Sequence, residues 1–77
     1  MESKELYKLI ADILSAPESE INENSDLRSI STWDSMNHMI LIAQLEEHFN
    51  ISFTGDEIIE MVNIKFIEDL LKKKLNE

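Results

Sequence analysis

Ser35 is the residue whose type and setting most invite chemistry in this 77-residue chain. It follows Asp34 and the only tryptophan, Trp33, and it opens the stretch "SMNHMILIAQLEEHF", which reads as a helix. A serine hydroxyl can be a nucleophile when a base activates it, or it can carry a covalent ester. The nucleophile reading finds no support. There is no Gly-x-Ser-x-Gly elbow, and the sequence assigns neither His38 nor His48 as a base for Ser35. His38 lies one turn after Ser35 but falls toward the core side of the helix, so it reads as a packed or hydrogen-bonded histidine. His48, near the C-terminal end of the same helix, reads as structural, since the helix dipole there favours positive charge. The two histidines are ten positions apart and there is no cysteine, so no metal-ligand spacing is present and no metal is expected. The acids of "NENSD" and "GDEIIE" do not match a calcium loop. Two readings of Ser35 remain. It is an ordinary cap or first-turn residue, or it carries a phosphate ester at the positive end of the helix dipole, with an extended group pointing away from the protein.

The elements that must hold Ser35 follow from periodicity. Leu6, Leu9, Ile10, Ile13 and Leu14 form the i, i+3, i+4 stripe of a helix over residues 3–15, with Ser3 as its candidate N-cap and Pro17 stopping it near Ala16. Residues 17–34 form a long polar connection in which Ile21, Leu27, Ile30 and Trp33 are spaced to pin it onto a core. The second helix spans 35–50, with Asp34 or Ser35 at its cap. In the loop 51–55, Ile51 and Phe53 can turn inward. A short helix over 56–61 has Thr54 or Gly55 at its cap and Asp56 and Glu57 in its first turn. The last helix spans 64–75, with Ile64, Ile67, Leu71 and Leu75 on one face and Lys72, Lys73 and Lys74 suiting the negative end of its dipole. The expected fold is all-α: a four-helix bundle with a short third helix and a long loop between helices 1 and 2, forming one domain over residues 1–77.

Composition narrows the function. One glycine and one proline argue against a β-rich fold. A domain this small buries only ~60 % of the surface its unfolded chain exposes, so its core is thin and a deep enclosed active site is not expected. Met1–Lys8 is charged and has no apolar core of a signal peptide, and no apolar run nears the ~18 residues of a membrane span, so a cytoplasmic protein is expected. The net charge is −9, and no Lys or Arg lies between Arg28 and Lys65. That anionic block repels nucleic acid and anionic lipid and attracts basic protein surfaces, unless it serves solubility alone.

The second helix carries two apolar faces. At ~100° per residue, Leu41, Leu45 and Phe49 fall on one stripe with Ile42 beside it, and this is the expected core face. Met36, Ile40, Ala43 and Glu47 fall on the far side, with Met39 and Glu46 on its flank. Either the helix is buried on more than one side, or this second face is a protein-docking surface with an acidic edge. The charge block favours docking, since it would steer basic partners there.

The run "WDSMNHMILIAQLEEHF" resembles the Asp-Ser-Leu phosphopantetheine attachment segment of acyl carrier proteins. The resemblance extends over nearly the whole chain, through the first helix, the long loop, Leu45-Glu46-Glu47 with Phe49, the "ISF" loop and the short acidic helix. It implies that Ser35 accepts 4′-phosphopantetheine from coenzyme A through a phosphopantetheinyl transferase, with Asp34 and Met36 as flanking recognition residues. The chain would then be no enzyme but a monomeric carrier of acyl or aminoacyl thioesters. Its partners would be acyl-loading and acyl-transferring enzymes with basic docking patches, meeting Met36, Met39, Ile40, Ala43, Glu46 and Glu47. The missing cysteine fits, because the reactive thiol arrives with the cofactor. Thr32 stands where family members often have Gly, and Met36 replaces the usual Leu at similar volume. Asn37 and Ile40 stand where carriers of fatty acid synthesis tend to have acids. This less charged helix start, with its "WDS" and following His, resembles stand-alone carriers of specialised pathways: polyketide, nonribosomal peptide or surface-glycan modification. The competing reading is an unmodified acidic adaptor that only docks. Trp33 either pins the loop end or lies exposed beside the arm.

Overall fold

The computed structural model describes residues 1–76. Four α-helices appear among them: α1 (Ser3–Leu14), α2 (Ser35–Phe49), α3 (Gly55–Glu60) and α4 (Ile64–Lys74), with a single 3-10 turn at Glu18–Glu20 in the long connection. The all-α bundle with a short third helix and a long first loop is the observed architecture.

The helices stop where local chemistry stops them. α1 and α2 end one residue earlier than periodicity alone suggests, at Leu14 and Phe49, and the cap residues that follow, Ser15 and Asn50, both lie in the left-handed region at φ 54. The next amide reaches five residues back in each case, Ala16 to Ala11 O at 3.0 Å and Ile51 to Glu46 O at 3.1 Å. This closes the helix end in the manner usually assigned to glycine. The chain's one glycine lies elsewhere, so Ser15 and Asn50 take that conformation. Ser3 is not a cap. The cap position of α1 is Glu2, which makes no side-chain cap bond, and Ser3 is the first helical residue. Its hydroxyl instead donates to Glu68 of α4. α3 begins with a capping box, Glu57 N–H to Thr54 Oγ1 at 3.1 Å and Thr54 N–H to Glu57 Oε1 at 2.8 Å. Asn63 caps α4 by accepting from Phe66 N–H at 2.7 Å.

The core joins Leu6, Ile10 and Leu14 of α1 to Leu41, Ile42 and Leu45 of α2 and Ile64, Ile67 and Leu71 of α4. The connections add Ile21, Ile30, Trp33, Phe53 and Met61, all buried. In a domain this small, three long helices alone do not enclose a core, and the loops close it. Three residues of the expected core faces sit differently. Phe49 and Ile13 are half-buried against the core, not inside it. Phe49 is the last residue of α2, at the rim, with its ring edge-on to His48 at 4.7 Å. Leu75 is also half-buried, just past the end of α4.

The long loop is pinned as expected, with one exchange of roles. Leu27 is exposed, and it is its backbone that ties the loop down, N–H to Val62 O at 2.9 Å. Ile64 N–H donates to Ser25 O at 2.9 Å beside it, and Asp26 and Asn63 form an isolated antiparallel bridge. The loop is therefore fastened to the α3–α4 junction by main-chain bonds and to the core by Ile21, Ile30 and Trp33.

One buried acid was not foreseen. Glu68 of α4 is buried and accepts from Tyr7 Oη at 2.8 Å and from Ser3, with Lys72 Nζ at 3.3 Å. Burial pushes its carboxyl up, but the bonds from Ser3, Tyr7 and Lys72 outweigh it and hold the group below the ordinary carboxylate value. The same arrangement pushes the Tyr7 phenol up to about 12, through burial first and the Glu68 carboxylate second. α1 and α4 are thus joined by a charged hydrogen-bond network as well as by packing.

Candidate functional site

The site is built around the start of α2. Asp34 is the cap: its Oδ1 accepts from Asn37 N–H at 2.8 Å. Its carbonyl accepts the first helical bond, from His38 N–H at 2.8 Å. A helix leaves its first N–H groups without internal acceptors. With Asn37 satisfied by the Asp34 carboxylate, the amides of Ser35 and Met36, with that of Asp34 before them, are left without an acceptor among the described residues. Ser35 is exposed, and its hydroxyl has no hydrogen-bond partner among the described residues.

The residues around Ser35 are fixed on both sides. Trp33 is buried, which settles its role as the pin of the loop end. Its indole N–H donates to His38 Nδ1 at 3.0 Å. Because Nδ1 accepts, the imidazole proton lies on Nε2, which donates to Ile58 O of α3 at 2.8 Å. His38 is the hydrogen-bonded histidine expected from its position. Asn37 Nδ2 donates to Thr32 O at 2.7 Å. A carboxylate at position 37 could not donate that bond, which gives the neutral amide a structural reason. The buried hydroxyl oxygen of Thr32 lacks a partner.

The far face of α2 is open. Met36 is 74 % exposed, Met39 55 % and Ile40 41 %, and Ala43 and Glu47 are exposed as well. Glu46 differs. It is half-buried, and its Oε2 accepts from Phe53 N–H at 2.9 Å, so its carboxylate holds the α2–α3 loop. The sequence reading did not single out two apolar residues beyond α2: Ile59 of α3, 74 % exposed, and Val62, 38 % exposed. A six-residue helix has too few turns for periodicity to say which of Ile58 and Ile59 faces out.

This geometry fits a phosphate ester on Ser35. The hydroxyl is unengaged and outward, two amide N–H groups and the positive end of a 15-residue helix lie beside it, and the caps hold that helix start in one conformation.

The comparisons point the same way. The family described as "Phosphopantetheine attachment site" matches residues 4–71. An acyl carrier protein of Buchnera aphidicola subsp. Baizongia pistaciae (strain Bp) is 34% identical over 70 residues, 91% of this chain and 90% of that protein. The solution NMR structure of the holo acyl carrier protein from Geobacter metallireducens matches with a TM-score of 0.85 at 28% identity, covering 96% of this chain and 85% of that one. Local sequence, fold and relatives converge over nearly the full length, and the chain belongs to the acyl carrier protein family of phosphopantetheine-attachment domains.

Proposed function

We propose that this chain carries acyl or aminoacyl intermediates as thioesters on a 4′-phosphopantetheine arm held by Ser35, as a monomeric carrier domain of the cytoplasm. Members of the family are carriers and not catalysts, and their prosthetic group is phosphopantetheine. The observation that carries the assignment to Ser35 is its place: an exposed, unengaged hydroxyl in the first turn of α2, directly after the capping Asp34. In the transfer from coenzyme A, Ser35 Oγ gains a bond to the phosphorus that bears the pantetheine, the P–O bond from that phosphorus to the bridging oxygen breaks, adenosine 3′,5′-bisphosphate leaves with that oxygen, and the hydroxyl proton is given up to the transferase. The Ser35 and Met36 amides and the helix dipole stabilise the resulting phosphodiester charge. When bound, the group supplies the thiol that a chain without cysteine lacks.

Asp34 and Met36 flank the serine as recognition residues, a charge and an apolar contact read together. Met36, Met39, Ile40, Ala43 and Glu47 form the docking face on α2, with Glu46 at its edge. Basic patches on partner enzymes suit the net charge of −9 and the absence of Lys and Arg from 29 to 64. We place the chain in a specialised pathway rather than bulk fatty acid synthesis, because Asn37 and the exposed Ile40 leave the start of the docking helix short of acids.

Intact-mass spectrometry tests the core of this reading. Incubated with coenzyme A and a broad-specificity phosphopantetheinyl transferase, the wild-type chain should gain the mass of one phosphopantetheine. Ser35→Ala should remain helical and gain nothing, with no compensation from the other seven serines. Loading of the Ala variant, or a wild type that no competent transferase loads, would leave the unmodified adaptor as the better account.

A further inference from the structure

We infer that His38 is a positioning residue that latches α3 to the start of α2 and so sets the relative place of the two exposed apolar surfaces beside Ser35. The inference rests on the docking face proposed above. α3 is weakly held by its own resources. It has six residues, well below the ~12–15 at which isolated helices become even marginal, and none of them is fully buried. Its position therefore depends on ties to other elements. At its start, Glu57 meets Lys74 Nζ at 2.9 Å, and Glu46 holds Phe53 N–H just before it. Past its end, Met61 is buried and Val62 O is held by Leu27 N–H. Within its last turn, the tie to α2 is the bond from His38 Nε2–H to Ile58 O.

That carbonyl also accepts from Met61 N–H at 3.3 Å, so His38 takes its second acceptor site. Trp33 makes the tie directional. By donating to Nδ1 it keeps the proton on Nε2, where it points at α3. The chain of bonds runs from the buried indole in the loop, through the first turn of α2, to the turn that carries Ile59. The helix at one end of it carries the exposed Met36, Met39 and Ile40, and the helix at the other end carries the exposed Ile59. Three of these four side chains are more than half exposed, and a partner that touches both helices reads their separation. His38 sets that separation without itself being the contact.

Two substitutions divide the imidazole into its parts. H38Q places an amide N–H close to the Nε2 position and retains the bond to Ile58 O. H38N places an acceptor close to Nδ1 and retains the bond from Trp33 but not the one to α3. Amide hydrogen exchange on the unmodified chain should show α3 exchanging ~3- to 10-fold faster in H38N and near the wild-type rate in H38Q, the scale of one neutral hydrogen bond. The Trp33 indole N–H resonance should move more in H38Q. With the transferase, H38N should raise KM for the carrier by a similar factor and leave kcat unchanged, while H38Q restores KM. Equal behaviour of the two variants, or a change in kcat alone, overturns the latch. Should H38N unfold, H38Q decides alone: retained α3 protection supports the latch and lost protection refutes it. The exchange arm needs no modification of the chain, so it stands even where Ser35 loading fails, and loading without the α3 difference refutes the latch alone.

Discussion

At the scale of single residues, Asp34 has two separable duties. Its carboxylate caps α2 through Asn37 N–H, and its charge sits beside the hydroxyl proposed for modification. Asparagine caps about as well as aspartate, so Asp34→Asn should keep stability, while Asp34→Ala should lose ~0.5–2 kcal/mol in urea unfolding. Both should slow loading by the transferase if the charge is read. Loading of Asp34→Asn at the wild-type rate would reduce Asp34 to a cap. The exposed hydroxyl of Ser35 tells a related story: a serine that only capped the helix would have its oxygen on a backbone N–H, and Asp34 already fills that position.

Between elements, the link from α1 to α4 gives the protein a defined response to pH. The Glu68 carboxyl is held below the ordinary value of 4.5 in the fold, so its contribution is present above the unfolded value and is lost as pH falls through the lowered one. Tyr7 works in the opposite direction. Its phenol rises from 10.0 to about 12, so the folded chain holds this proton more tightly than the unfolded chain does. The stability it supports is intact below pH 10 and is lost as pH climbs through about 12. Tyr7→Phe should cost ~1–3 kcal/mol at neutral pH, as a hydrogen bond to a buried charge does. It should also flatten the alkaline limb of the urea midpoint against pH; an unchanged limb would assign that limb to other groups. On α2, Ile40→Lys should leave the circular dichroism spectrum intact, because Ile40 is 41 % exposed, and should weaken acyl transfer by partners with basic patches. Full transfer activity would remove Ile40 from the docking face.

Over the whole molecule, charge lies mostly outside the core, with Glu68 as the buried exception. The last helix carries Lys65, Lys72 and Lys74, each within reach of an acid at Asp69, Glu68 or Glu57. Apart from Glu57, which Lys74 reaches from the last helix, the acids of the α2–α3 half have no Lys or Arg near them in sequence, and that half is where Ser35 opens to solvent. The core beneath is thin, so position within it decides what a deletion costs. Leu41 is fully buried and Phe49 only partly so. Leu41→Ala should cost ~2–5 kcal/mol, a large share of the ~5–15 kcal/mol of a typical domain. Phe49→Ala should cost less than Leu41→Ala, despite the larger side chain. Thermal or urea unfolding of the two variants checks the order, and the reverse order would place Phe49 in the core after all.

The sequence by itself determined the features that near neighbours decide. The apolar stripes of α1 and α4, the start of α2 at Asp34-Ser35, a cap of α3 at Thr54 or Gly55 and the stop before Pro17 depend on residues within about one turn of each other, so periodicity and capping chemistry suffice, and the structure chooses Thr54. Of the four loop residues expected to pin it, Ile21, Ile30 and Trp33 are buried and Leu27 is exposed: an isolated apolar residue in a polar run favours the core, but local sequence does not decide which of them reaches it. Tertiary structure alone decided the rest. Ser3 donates to Glu68 across 65 positions and Tyr7 does so across 61, so neither the missing cap nor the buried acid could be read locally. His38 reaches Ile58 across 20 positions, and Glu46 turns to Phe53 across 7, away from the face its helical angle suggests. Phe49 lies on the core stripe of its helix yet ends at the rim, because a stripe gives direction and not depth. Depth is set by where the other helices and loops end, and that is fixed only when the whole chain packs.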